Sequence, residues 1–205
     1  METAALNREA AARRGKHIEY FTIAWNSVEG LIAVSAGALA GSISLVCFGI
    51  DSFIEVISGS VLLWRMSVDS DIHRRERNEK LSLRVVGGCF LVLAVYVGYE
   101  SLSDLLTRKA PEHSIPGIVL AGVSLVVMPL LSRAKKRVGN ELGSAAMHAD
   151  AKQTDFCVYL STIVLMGLLL NLALGWWWAD PLAGLVMAPI IAKEGIEGTR
   201  AKMCC

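Results

Sequence analysis

Hydrophobic residues fill six blocks of the chain, and short polar stretches separate these blocks. Near-continuous apolar runs occupy residues 18–40, 42–66, 84–106, 115–132, 153–174 and 181–192. Most of them approach the ~20 residues that a helix needs to cross ~30 Å of hydrocarbon. The fourth and sixth runs are shorter, but residues at their ends extend them. We therefore predict an all-α membrane protein built as a bundle of six transmembrane helices.

The stretches between the blocks predict where the chain turns. "GALAGS", "RKAPEHSIP" and "GWWWADP" are short, whereas "DSDIHRRERNEK" and "SRAKKRVGNELGSAAMH" are longer, highly charged and interpreted as loops. Asp180 and Pro181 are predicted to be the N-cap and the first residue of the sixth helix. Small residues inside the blocks, as in "GSISLVCFGIDS", "VVGG" and "GIVLAG", indicate close helix packing.

The distribution of positive charge predicts the orientation. With six spans, all of the 20 Lys and Arg residues except Arg108, Lys109 and Lys152 fall on one side. The positive-inside rule then places both termini in the cytoplasm. We interpret residues 1–17 as a cytoplasmic segment and not a signal peptide, residues 18–200 as the six-span domain, and 201–205 as a short cytoplasmic tail. Lys152, inside the fifth span, is expected to form an interfacial ion pair or to snorkel.

Several functional classes are disfavoured. Orientation in the membrane accounts for each basic loop, so no nucleic-acid partner is expected. Cys47, Cys89 and Cys157 lie in predicted spans and Cys204 and Cys205 on the reducing side, so the five Cys do not indicate a disulfide framework. The chain has neither G-x-S-x-G nor H-E-x-x-H, and we predict that it is not an enzyme.

Two carboxylates interrupt the second hydrophobic block. In "CFGIDSFIEVIS", Asp51 and Glu55 are four residues apart and share one helix face. Each carboxylate at mid-membrane costs roughly 2.5–3.5 kcal/mol on insertion scales. The same helix has no basic residue before Arg65, so a positive partner must come from another helix or from a ligand.

The fifth block supplies candidate partners. "MHADAKQTDFCVY" places Asp150, Gln153 and Cys157 on one helix face, because the gaps of three and four residues keep them within about 100°. His148 and Asp155 fall on roughly the opposite face.

Packing of the second and fifth helices side by side would create a metal site. Asp51 would then be level with Cys157 and Glu55 with Gln153. Cys47 lies on the same face of the second helix, one turn further out. Two carboxylates, a thiol and an amide oxygen suit Zn²⁺ or a similar borderline-soft ion in tetrahedral geometry. The alternative is that Cys157 and Gln153 are ordinary buried residues.

The first hydrophobic block carries a further acid. Asn26 and Glu29 share one face near mid-membrane. Glu29 is either a carboxylate on a proton or access path, or a polar link to Ser or Asn on a neighbouring helix. Both readings stay open, and Asp150 and Cys47 are further accessory candidates.

The motifs "GIDSFIEV", "LGSAAMHADAKQTDFC" and "WWWADPLAGL" resemble those of the cation diffusion facilitator transporters, over residues 15–200. The resemblance implies a six-helix bundle with a divalent-metal site between helices 2 and 5. It also implies alternating access, metal export driven by inward proton flow, and a homodimer. The metal is cargo, and no cofactor is expected. Gln153 and Cys157 match positions where the family usually carries His and Asp.

Most members of that family continue into a cytosolic ferredoxin-like domain. We expect a small branch without that domain, in which any dimer rests on the membrane helices. The leading hypothesis is a proton-coupled exporter of Zn²⁺ or a similar ion in a bacterial-type plasma membrane. The alternative is a non-transporting membrane metal sensor or modulatory subunit.

Overall fold

The residues that the structure describes form six helices. The computed structural model describes residues 2–67, 72–108 and 111–200, with side chains over 9–64, 84, 87–108, 111–144 and 147–200. The helices are α1 (Glu2–Ala40), α2 (Ile43–Ser67), α3 (Ile72–Thr107), α4 (Ile115–Leu142), α5 (Ala145–Leu174) and α6 (Ala179–Thr199). No residue in these ranges forms a strand, so the predicted all-α bundle is confirmed. Lys109, Cys204, Cys205 and the predicted tail 201–205 lie outside the described residues.

Five helices are long and apolar enough to cross a membrane. These stretches are Glu9–Ala40, Ile43–Trp64, Gly87–Thr107, Ile115–Leu142 and Met147–Leu174. α6 is the sixth predicted span and is not among these five. Its 21 residues span about 30 Å at 1.5 Å per residue, but its sequence includes Asp180, Lys193 and Glu194. The architecture is that of an integral, multi-pass membrane protein.

The prediction of a loop at "SRAKKRVGNELGSAAMH" is wrong, because most of these residues are helical. α4 continues to Leu142 and α5 begins at Ala145, so only two residues connect them. Gly143 ends α4 in the left-handed conformation, with a φ of 60°. The Ser144 hydroxyl accepts a hydrogen bond from the Met147 N–H at 3.3 Å and caps α5. The other predicted cytoplasmic loop, 69–80, also contains helix, because α3 begins at Ile72.

The predicted N-cap role of Asp180 is also wrong. α6 begins at Ala179, and Trp178 precedes it without a side-chain capping hydrogen bond. Asp180 lies inside the helix and is buried. It accepts hydrogen bonds from the hydroxyls of Ser42, at 2.6 Å, and of Ser44. The carboxylate therefore joins the start of α6 to the start of α2.

Short connections meet at one end of the bundle. The Glu112 N–H donates to the Ala40 carbonyl at 2.7 Å, and the Asn171 side chain donates to the Pro111 carbonyl at 3.1 Å. We call this the Pro111 end, where α1, α3 and α5 end. The opposite end, where α5 begins, is called the Ser144 end.

Small residues bring neighbouring helices close together. α1 packs against α2 and α4, α4 against α5, α3 against α6, and α2 against α5. A Cβ atom added at Gly49 would lie 2.7 Å from the backbone nitrogen of Val34, and one added at Gly87 would lie 2.5 Å from that of Thr199. The prediction of close packing at these glycines is confirmed, and so is the contact between helices 2 and 5.

Candidate cation-binding site

One face of α1 carries buried polar side chains. Glu19, Thr22, Asn26 and Glu29 have at most 1% of their surface exposed. Their spacing of three, four and three residues keeps them on one face, which α1 directs into the bundle. Asn26 and Glu29 were predicted. Glu19 was not predicted as a member of this face, because it lies beside the charged N-terminal segment. Its helical spacing from Asn26 was a signal that could have identified it.

Asp51 and Cys157 meet between α2 and α5. Both side chains are buried, and the Asp51 carboxylate lies beside the Cys157 thiol. Asp51 Oδ1 has no hydrogen-bond partner among the described residues. The prediction that these two residues are level is therefore confirmed.

Glu55 lies one turn further along α2, towards the Ser144 end. Its Oε1 accepts a hydrogen bond from the Thr154 hydroxyl at 2.5 Å. Within the described part of the chain, its Oε2 has no partner, and neither does Nε2 of the buried Gln153. Because Thr154 directly follows Gln153, the register of α2 against α5 agrees with the predicted one to within a residue.

Among the described residues, one buried lysine supplies positive charge to this region. Lys135 was predicted to be one of the cytoplasmic basic residues, but it lies within α4 and its side chain is fully buried. Its ammonium forms an ion pair with Asp150 and donates to the Thr154 hydroxyl at 3.0 Å. Glu19 Oε2 is 3.5 Å away and Glu55 Oε1 3.8 Å away. The burial is possible because three helices direct carboxylates at this one cation.

The accessory candidates have different surroundings. Asp150 is held by Lys135 and accepts from the Ser58 hydroxyl at 3.2 Å, so it belongs to the ion-pair network. Cys47 is a buried free thiol one turn from Asp51, on the side of the Pro111 end.

Glu29 takes part in a second polar cluster. The Ser52 hydroxyl donates to Glu29 Oε2 at 2.9 Å, which is the polar link to a neighbouring helix that the sequence allowed. Glu29 Oε1 has no hydrogen-bond partner within the described ranges, and neither polar atom of the Asn26 amide has one. The cluster therefore contains a carboxylate oxygen and an amide whose hydrogen-bonding capacity the described residues leave unused.

The opposite face of α5 points away from these clusters. His148 and Asp155 lie on this face, as predicted. His148 is exposed, and Asp155 accepts hydrogen bonds from Ser132 and Lys136 at 2.5 Å each. Lys152 forms an ion pair with Glu197 of α6 at 2.9 Å, which confirms the ion-pair reading.

The predicted ligands form two groups and not one tight cluster. Asp51 contacts Cys157, whereas Glu55 contacts Thr154 and Lys135. Among the described residues, no three His, Cys, Asp or Glu side chains lie close enough together to hold a metal ion. The site offers buried carboxylate oxygens, one thiol and one amide within two helical turns, which are the atom types that bind divalent cations.

The comparison with known families agrees with a membrane bundle whose helices carry buried acids. The profile of the cation efflux transmembrane domain matches residues 20–200. This chain therefore belongs to the cation efflux family, and the resemblance inferred from its motifs is confirmed.

Individual relatives share part of their length with this chain. It is 29% identical over 182 residues to an uncharacterized transporter of Methanocaldococcus jannaschii, covering 86% of this chain and 64% of the relative. It is 26% identical over 177 residues to the cation-efflux pump FieF of Shewanella oneidensis (81% and 58%). It is 26% identical over 168 residues to the magnetosome protein MamB of Paramagnetospirillum magneticum (78% and 56%). The chain thus matches less than two thirds of the length of these relatives.

Proposed function

We propose that this protein exports a divalent cation, Zn²⁺ or a similar borderline-soft ion, from the cytoplasm in exchange for protons. Asp51, Glu55, Gln153 and Cys157 bind the ion between α2 and α5. The observation that carries the proposal is the buried contact of Asp51 with Cys157, in which Asp51 Oδ1 has no partner among the described residues. An ionised carboxylate is costly at this depth, and a divalent cation would offset that cost.

The ligand chemistry supports both the cargo and the coupling. Thiolate and carboxylate together suit Zn²⁺ better than Mg²⁺ or Ca²⁺, which prefer oxygen ligands alone. These groups bind metal in their deprotonated forms, so metal and protons compete for the same atoms. Metal arriving from the cytoplasm displaces protons, and protons arriving from the other side displace metal. The relative FieF is named a cation-efflux pump, which agrees with export.

Further parts of the proposal concern the surroundings of the site. Both termini lie in the cytoplasm of a cell with a bacterial-type plasma membrane, and two copies associate through their membrane helices. Glu29 and Asn26 serve an access or proton path, which the unpartnered Glu29 Oε1 supports. Glu29→Gln would then keep the Zn²⁺ affinity and lose part of the pH dependence of flux.

Reconstitution of the purified full chain into vesicles tests the function. Uptake is measured for Zn²⁺, Cd²⁺, Co²⁺, Mn²⁺ and Fe²⁺, with and without a pH gradient, together with the internal pH. Metal movement coupled to opposite proton movement is the expected result. Binding without flux would instead favour the membrane metal sensor or modulatory subunit.

A further inference from the structure

The hydroxyl of Thr154 lies between Lys135 and Glu55. Lys135 Nζ is 3.0 Å from Thr154 Oγ1, and Oγ1 is 2.5 Å from Glu55 Oε1. An ammonium can only donate hydrogen bonds, so the Thr154 oxygen accepts from Lys135 and keeps its own proton for another acceptor. That acceptor is Glu55 Oε1 and not the Asp150 carbonyl, which lies 3.3 Å away.

Lys135 is itself held from two sides. It forms its closest ionic contact with Asp150 of α5, and Glu19 of α1 lies at 3.5 Å. Its 3.8 Å approach to Glu55 is the longest of its three ionic contacts. Lys135 therefore acts on Glu55 in two ways, directly as a nearby charge and through the Thr154 hydroxyl, whose orientation it fixes.

The result is a carboxylate with two unlike oxygens. Glu55 Oε1 accepts a hydrogen bond from Thr154, whereas Oε2 is buried and has no hydrogen-bond partner in the part of the chain that the structure describes. We propose that Lys135 and Thr154 are positioning residues that leave Oε2 as the single oxygen Glu55 offers to the transported cation. This inference rests on the proposed function, in which Glu55 is a cation ligand.

One-oxygen binding by Glu55 affects the choice of cation. A carboxylate that binds through one oxygen suits a four-coordinate ion such as Zn²⁺. A carboxylate free to bind through both oxygens suits ions that accept more oxygen ligands, such as Mn²⁺. Loss of the Thr154 hydroxyl should therefore weaken the preference for Zn²⁺ over Mn²⁺ as well as the affinity for Zn²⁺.

The first test compares Thr154→Val with Thr162→Val. Thr162 is exposed on the same helix and donates to the Val158 carbonyl at 2.8 Å, so it is a matched control. Affinities of the purified full chain for Zn²⁺ and Mn²⁺ are measured by calorimetry in detergent. Thr154→Val should weaken Zn²⁺ binding about tenfold, as expected for a lost hydrogen bond to a charged group, and Mn²⁺ binding less. Thr154→Ser, which keeps the hydroxyl, should restore most of the Zn²⁺ affinity.

Unchanged Zn²⁺ affinity in Thr154→Val, or an equal loss in Thr162→Val, would overturn the positioning role. If Thr154→Val does not fold, Thr154→Ala removes the same hydroxyl without a branched side chain and is measured in its place.

The second test combines Thr154→Val with Glu55→Gln. If Thr154 acts through Glu55, its substitution should cause no further loss of Zn²⁺ affinity once Glu55 is replaced. Additive losses would show that Thr154 acts elsewhere and would reject the inference. If Glu55→Gln alone leaves Zn²⁺ affinity unchanged, Glu55 is not a ligand and the proposed site itself is wrong, which is a different failure.

Discussion

The ammonium of Lys135 in α4 lies 3.5 Å from Glu19 Oε2 in α1, and neither side chain has any exposed surface. The same ammonium contacts Asp150 of α5 and approaches Glu55 of α2. One cation therefore joins four helices near the Ser144 end of the bundle. Because three carboxylates depend on it, the charge balance of the site and the stability of the bundle both depend on this residue.

Lys135→Met should lower the stability of the protein strongly. Removing one partner of a buried ion pair leaves uncompensated charge and typically costs about 3–5 kcal/mol. Lys136→Met is the matched control, because Lys136 is 47% exposed and pairs with Asp155 at 2.5 Å. Exposed pairs contribute about 0–1 kcal/mol. Thermal unfolding in detergent should show a large decrease for the first variant and little change for the second, and equal decreases would contradict a special role for Lys135.

Asp51→Asn should abolish metal flux in vesicles while the protein still folds. The substitution removes the carboxylate that contacts Cys157 and keeps the size of the side chain. Since it also removes a buried charge, the unfolding temperature should stay unchanged or rise. Asp155→Asn is the control, because Asp155 is also acidic and lies on the other face of α5. Near-normal flux in a well-expressed Asp51→Asn variant would exclude Asp51 as an essential ligand.

The membrane helices could be predicted because long apolar blocks and helical spacing act locally. The contact of Asp51 with Cys157 follows from the residue spacing on α2, the residue spacing on α5 and the assumption that these two helices are neighbours. The end of α4 could not be predicted in the same way. Its charged residues read as a loop, because a sequence does not show that Lys135 meets carboxylates from three other helices.

The same reasoning explains the other errors at the site. Asp180 before Pro181 is a favourable capping pattern, but the hydroxyls of Ser42 and Ser44 bind the carboxylate from another helix. Glu55 was predicted to lie level with Gln153, and the side chain that donates a hydrogen bond to it is that of the adjacent Thr154. Helix spacing gives the face of a residue, whereas the choice among neighbours on that face depends on the rotation of the packed helices.

Cys157→Ser should weaken the binding of Cd²⁺ more than that of Mn²⁺. A thiolate is a soft ligand, so its loss matters more for the softer ion. Cys89→Ser on α3 is the control, since Cys89 is an exposed free thiol outside the site. Metal titrations of both variants measure the effect. Equal losses for Cd²⁺ and Mn²⁺ in Cys157→Ser would mean that Cys157 contributes packing and not coordination.

Gln153→His should tighten the binding of Zn²⁺. An imidazole nitrogen is a stronger zinc ligand than an amide oxygen, and Gln153 is buried beside the residues that contact Glu55. Calorimetric titration with Zn²⁺ compares the variant with the parent protein. An unchanged affinity for Zn²⁺ would show that residue 153 does not bind the metal directly.

Binding of Zn²⁺ should release protons, and its affinity should fall between about pH 8 and about pH 6, because Asp51, Glu55 and Cys157 bind metal only after losing their protons. Calorimetry in buffers of different ionisation enthalpy counts the protons released. The sign of the coupling follows: an acidic exterior favours release of the metal there, and an acidic cytoplasm opposes its loading. Asp155→Asn should leave the proton count unchanged, because Asp155 lies outside the site. If Zn²⁺ binding released no protons across this range, the proposal that metal exchanges for protons at this site would be wrong, even if Asp51 proved to be a ligand.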